Sequence, residues 1–440
     1  MFKLESPLTD KLLIILGFFL TALFAYSHFI DGDVIQLLDK AHLYVTQDIL
    51  IPYGNVSSSG ASGNIPGAFL TLATALPMTL WFSPWAALAF LAFLHFLGLL
   101  LFRSVLKNFM GPFALTAAVV LFWLNPWRLS EVFLWNPGYI YFVSTAHMWS
   151  AYHLSKKPSY VFSVLHGLSL FLGLQVHPSF IILFFMTMIL LWMKALKPHI
   201  LGTVKGILLG ILSLAPYILE GMRNPSIFPQ PGGGNGEGHL FFGLLYVYPM
   251  LKGFWYWILF GSNIFQTHVF HQLDFSWMGA PPLETFFKYF WTAVKYGVGA
   301  LGVGLSFRVN YQFFMKNKKG FNILKYKMQD PKNWLSLYAI SAFASALIAT
   351  AISPTLPIYW HLLYIWPMAI LPLLMKFEEW SHNSETKKKA SKYLLVLIVY
   401  FSATNLLAAL GSKKHDVRKP FHDLYFKACQ ERCEMKNLAD

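Results

Sequence analysis

The feature that most constrains this chain is the recurrence of uncharged apolar runs, each about 20 residues long, from Leu12 to near its end. A helix of that length crosses a hydrocarbon core of about 30 Å, and it satisfies its own backbone hydrogen bonds where no water is available. Of the 440 residues, 56% are hydrophobic and 12% charged, whereas a soluble domain carries roughly 25% charged residues. A soluble fold is excluded. The runs are continuous and rich in Leu and Phe, unlike the short alternating strands of a membrane barrel. The sequence therefore describes an all-α, polytopic transmembrane bundle. Its first run, residues 12–30, is too long and starts too late for the apolar core of a signal peptide, and no small-residue cleavage site follows. It is expected to be the first span.

The net charge of +14 invites a nucleic-acid reading, but the basic residues sit in short clusters between apolar runs, where membrane topology accounts for them. No nucleic-acid partner is expected. Cys429 and Cys433 are the only cysteines; they make neither a disulfide framework nor a zinc site.

About eleven spans fit the hydropathy and the charge pattern, at residues 12–30, 85–102, 111–127, 137–154, 159–176, 178–195, 200–220, 286–305, 334–353, 358–376 and 393–411. With the N-terminus in the cytoplasm, most of the 34 Lys and Arg face that side. The basic tail 412–440 is the exception, so an error of one span is expected most readily at residues 240–265. Residues 1–411 then form the transmembrane domain. Residues 31–84 are the first outer loop, with surface helices that include one after Gly67, and residues 221–285 are a large outer loop. The latter contains the Gly-rich stretch Pro231 to Gly238 and the aromatic stretch Phe241 to Phe265, whose rings suit a membrane interface. No internal repeat of the secondary-transporter kind is evident.

Several residues could carry chemistry. Asp31 and Asp33 follow the first span directly. Two carboxylates that close resist ionising together, which raises the pKa of one and suits a general base; the pair equally suits the end of a helix and an outward loop. In the loop from Asn125 to Pro137, Arg128 and Glu131 stand among aromatics, and Glu131 suits orienting a metal or an acceptor as well as it suits an exposed loop acid. Asp48 joins it as a candidate for the same role. His177, before Pro178, lies at an outer junction of two spans, and Tyr359 and His361 begin another. Ionisable groups at such depths usually face a cavity or a partner. Lys295, near the middle of the span 286–305, would find a partner in a polyprenyl phosphate or else snorkel. His361, Lys295, Tyr359 and Arg128 form the candidate phosphate-binding set.

The order of these pieces resembles the GT-C superfamily of integral-membrane glycosyltransferases, in particular bacterial members related to family 39, to lipid A aminoarabinose transferases and to protein mannosyltransferases. The matching segments are Asp31/Asp33 after the first span, Gln47-Asp48-Ile49-Leu50-Ile51-Pro52-Tyr53-Gly54-Asn55, Gly63-Asn64-Ile65-Pro66-Gly67, Leu134-Trp135-Asn136-Pro137, Leu174-Gln175-Val176-His177-Pro178, and Tyr359-Trp360-His361 running to Trp366-Pro367. They cover residues 12 to about 375. The resemblance implies a transferase that takes a sugar from a polyprenyl-phosphate carrier and passes it to a glycolipid, polysaccharide or protein acceptor. It would work at the outer face of a bacterial inner membrane, in the cell envelope, with no certain cofactor and a divalent cation, Mg or Mn, as the candidate.

By family position the base is Asp33, with Asp31 second, and Glu131 is the nearest counterpart of a second acid. Val34 follows Asp33 where relatives usually have Glu, which leaves the choice between the two aspartates open. A transporter or flippase of lipid-linked sugars, and a polysaccharide polymerase or ligase, are the competing readings.

Overall fold

The structure is a computed structural model, and it describes residues 5–26, 32–56, 63–228, 247–262, 275, 278–321, 333–353 and 356–411. Asp31, both cysteines, the loop Pro231 to Gly238 and the tail 412–440 lie outside the described residues. So does the side chain of Lys295.

The chain is a bundle of helices with a small cap at one end, built from the second and third helices and a pair of short strands. In order, the helices are α1 (Pro7–Tyr26), α2 (Gly32–Gln47), α3 (Phe69–Leu80), α4 (Pro84–Leu106), α5 (Pro112–Trp123), α6 (Pro126–Leu129), α7 (Ile140–Lys156), α8 (Tyr160–Val176), α9 (Ile181–Trp192) and α10 (Ile200–Arg223). They continue with α11 (Val247–Ser262), α12 (Pro281–Lys316), α13 (Trp334–Ala351), α14 (Trp366–Ala369), α15 (Leu371–Ser381) and α16 (Ser384–Gly411). The strands β1 (Tyr53–Val56) and β2 (Asn64–Pro66) form an antiparallel pair between α2 and α3.

Each of the predicted apolar runs contains a helix. Among the described residues, 6 helical segments are long and apolar enough to cross a membrane, including the composite Tyr359–Ser381; Phe69–Leu80, Tyr160–Val176 and Pro178–Trp192 are shorter apolar helices. The run 111–127 does not continue as one helix. It stops at Trp123, and the chain turns inward through α6, with Asn125 accepting from the Trp127 amide at 2.8 Å and Pro126 at the first helical position. The segment from Asn125 to Leu134 is buried, contrary to the expectation of an exposed loop. Its Trp127, Leu129, Val132, Phe133 and Leu134 are more stable buried than in water, and α6 packs against α1 and α16.

Residues 240–265, the expected weak point of the topology, contain α11, which packs one face against α13. Trp257 Nε1 donates to Asn310 on α12 at 2.7 Å and Ser306 Oγ to the Ile258 carbonyl at 2.8 Å. Elsewhere α8 and α10 approach closely because Gly202, Gly206 and Gly210 line one stripe. A Cβ on Gly206 would lie 2.7 Å from the Val164 carbonyl oxygen, so the contact depends on small residues.

At the end of the bundle where α1 begins, Asp10 pairs with Arg103 and accepts from Thr116 at 2.8 Å. The cap lies at the other end, one α1 length away, about 30 Å for 20 residues. There α2 buries Val34, Leu37, Leu38 and Ala41, the spacing of a helix with one apolar face.

Candidate functional site

Beneath the cap is a cavity of about 480 Å³, lined among others by Asp33, Trp135, Asn136, His177, Trp360 and His361. That volume suits a small-molecule ligand, for which about 300–1,000 Å³ is usual. It gathers residues from segments far apart in sequence, with Asp33 and His361 separated by 328 positions.

Asp33 is the second residue of α2, where a carboxylate is favoured by the positive end of the helix. The buried Asn55 in β1 donates Nδ2 to the Asp33 carbonyl at 2.9 Å and to its Oδ1 at 3.4 Å. The strand is fixed in turn. Lys40 donates to the Gly54 carbonyl, Asn64 Nδ2 donates to the same oxygen at 3.1 Å, and the Val56 amide donates to Gln36 at 3.1 Å. Lys40 also sits over the Tyr53 ring at 5.2 Å. Burial lowers the Lys40 pKa to about 8, and the negative charge of Asp33 opposes that shift.

His177 follows α8 in an extended conformation that the next residue, Pro178, favours. Its Nδ1 accepts from the Ser179 amide at 3.1 Å and stands 2.8 Å from Ser179 Oγ. His361 lies in the 3₁₀ segment Tyr359–Ile365, and its Nδ1 accepts from the Ile358 amide at 3.2 Å. Each ring, when neutral, therefore carries its hydrogen on Nε2, as assigned from these hydrogen bonds. The two rings are 5.5 Å apart. Lys252 on α11 is close enough to act electrostatically on His361. Two N–H donors and a nearby cation make this wall of the cavity suited to an anion.

The other sequence candidates lie elsewhere. Glu131 is fully buried; its Oε1 accepts from the Tyr359 hydroxyl at 3.2 Å and from Ser130 Oγ at 3.3 Å. It stands behind the cavity wall, as does Tyr359. Arg128 is also buried, with Nε and Nη2 donating to the Trp123 carbonyl at 2.9 and 2.6 Å, Nη2 to Thr21 at 3.1 Å, and its guanidinium 3.9 Å from the Trp123 ring centre. These contacts stitch α6 to α1 and α5. Asp48 is exposed just beyond α2, at a φ of 52°, and is not among the cavity residues. Lys295 is on α12, but its side chain lies outside the described residues.

Asn55, Lys40 and Lys252 were not singled out by the sequence. Lys252 carried a usable signal, as a lone cation inside the aromatic run Phe241 to Phe265. Among the described residues, no group of three or more His, Cys, Asp and Glu is arranged to hold a metal ion. Asp33 and Glu131 occupy separate environments, so the side chains described do not fit a shared cation.

No family model matches the chain, and no curated protein matches it by sequence. Similarity appears in three dimensions. The crystal structure of ArnT from Cupriavidus metallidurans in the apo state aligns with a TM-score of 0.50 at 11% identity, over 94% of this chain and 77% of that one. The structure of ArnT from the same organism bound to undecaprenyl phosphate aligns with a TM-score of 0.49 at 10% identity, over 92% of this chain and 76% of that one. The chain is thus an integral-membrane protein of GT-C type in its fold. More particularly, its overall architecture is similar to that of ArnT over 94% of this chain.

Proposed function

We propose that the chain is a glycosyltransferase that moves a sugar from a polyprenyl-phosphate carrier to an acceptor, a glycolipid, polysaccharide or protein, at the outer face of a bacterial inner membrane. The observation that carries this reading is a single cavity in which the Asp33 carboxylate shares the lining with two histidines held as Nε2–H donors.

A single displacement uses each part. The acceptor hydroxyl attacks the anomeric carbon and gives its proton to Asp33, while the bond from that carbon to the carrier phosphate breaks with its electron pair. Charge develops on the departing phosphate, where the Nε2–H groups of His177 and His361 and the ammonium of Lys252 stabilise it. One displacement inverts the anomeric centre. Asn55 holds the base in register by bonding both its carbonyl and its carboxylate. Asp31 remains the second candidate for the base.

The test is reconstitution in liposomes with undecaprenyl-phosphate-linked monosaccharides and an envelope lipid extract as acceptor. Sugar transfer with release of undecaprenyl phosphate is expected, and Asp33→Asn should lower its rate about 10²- to 10⁴-fold. Movement of the donor across the bilayer with no transfer would identify a flippase instead.

A further inference from the structure

Part of the wall of this cavity is aromatic, with Trp135 and Trp360 in the same lining as Asp33 and the two histidines. Trp360 lies between two anchored neighbours: Tyr359, bonded to Glu131, and His361, whose Nδ1 accepts from the Ile358 amide. The Trp360 ring meets Tyr359 at 81°, His361 at 78° and Trp135 at 68°, all of them edge-on contacts. Trp135 carries Phe133 stacked at 4.5 Å and 15° on one face. Both indoles line the cavity, next to Asn136. An aromatic face is electron-rich and attracts the weakly positive C–H groups of a sugar ring, while polar residues beside it take up the hydroxyls.

We infer that Trp360, bordered by Trp135, is the platform on which the ring of the transferred monosaccharide stacks, with Asn136 bonding a hydroxyl at its edge. The inference rests on the glycosyl-transfer reading of the cavity and adds a sugar subsite to it. Stacking there sets the ring between the base and the phosphate-binding wall. The platform holds the sugar and leaves the carrier phosphate to the histidines. A carrier without a sugar should therefore not depend on the indole.

The experiment measures binding of two probes to the full chain in nanodiscs: undecaprenyl phosphate, and a panel of undecaprenyl-phosphate-linked glucose, galactose, mannose and arabinose. At least one sugar-bearing carrier should bind the unaltered protein more tightly than undecaprenyl phosphate, by about five- to tenfold. Trp360→Leu should abolish that difference while undecaprenyl phosphate binds as before, and Trp360→Phe should keep part of it. Retained binding of undecaprenyl phosphate also reports that the variant is folded. If Trp360→Leu does not fold, saturation transfer from the unaltered protein to the ring C–H protons of the bound sugar decides; its absence overturns the platform. Equal loss for both probes, or no loss, also overturns it while the phosphate wall stands. Failure of the unaltered protein to bind either probe would instead overturn the lipid-phosphate reading itself.

Discussion

The Tyr359 hydroxyl donates to Oε1 of Glu131 across 3.2 Å, in a position where Glu131 is fully buried. This bond clips together two segments that are remote in sequence and adjacent in the cavity wall. One runs from Glu131 to Pro137 and carries Trp135 and Asn136; the other carries Trp360 and His361. Glu131 acts on the cavity through this clip. Tyr359→Phe should lower stability by about 1–3 kcal/mol, the cost of removing one partner of a buried hydrogen bond. Glu131→Gln, which keeps an acceptor oxygen, should unfold at a higher temperature than Glu131→Ala. Equal melting temperatures for the three variants and the parent would show that the clip contributes nothing.

That clip marks a limit of sequence reasoning. The aspartate after the first span and the histidines beside Pro178 and in the Tyr359 segment were legible, because ionisable groups at the ends of apolar runs need a cavity or a partner. Their meeting in one cavity was not, since nothing in local pattern joins Asp33 to His361. Glu131 and Arg128 looked like loop residues because a short stretch flanked by prolines usually is one. Here the aromatic residues around them drew the stretch inside, and the charges found partners there. Asn55 ends a segment that carries the family resemblance, but nothing in the local pattern ties its side chain to Asp33, which is 22 residues away.

The Lys40 pKa of about 8 predicts a pH dependence outside the bundle. Lys40 is lowered in the folded protein from its ordinary 10.5, so between these values the unfolded chain binds more protons than the folded one. Stability from this group therefore rises as pH increases from 8 to 10.5, and below 8 the full cost of burying the charge is present. Melting temperatures of the parent and Lys40→Met, measured across that window, should show the parent gaining on the variant. Parallel curves would remove Lys40 from the account.

The contact of α8 with α10 depends on glycine. A methyl at Gly206 would sit 2.7 Å from the Val164 oxygen, and one at Gly202 would sit 2.5 Å from the Tyr160 oxygen. Backbone cannot yield as a flexible side chain would, so Gly206→Val should separate the helices and cost about 1–3 kcal/mol. Gly304 on α12 has no atom within 4 Å of an added Cβ. Gly304→Ala should leave the melting temperature unchanged, and an equal loss for both substitutions would refute the packing argument.

The histidine pair offers the sharpest separation of binding from chemistry. His177 and His361 each use Nδ1 as an acceptor for a backbone amide, so an imidazole is needed both to hold the local turn and to present Nε2–H. Asparagine can imitate the acceptor but not the reach of the ring. His177→Asn and His361→Asn should therefore fold, yet each should weaken undecaprenyl phosphate binding by about tenfold, equivalent to ~1.4 kcal/mol. In the proposed mechanism Asp33→Asn removes the base and no phosphate donor, so it should bind that lipid as the parent does while transfer is lost. Lys252→Met should weaken binding most at low ionic strength, where screening is least. Should the histidine variants bind undecaprenyl phosphate normally and Asp33→Asn alone lose it, the anion would lie against α2, and the assignment of the two walls would have to be exchanged.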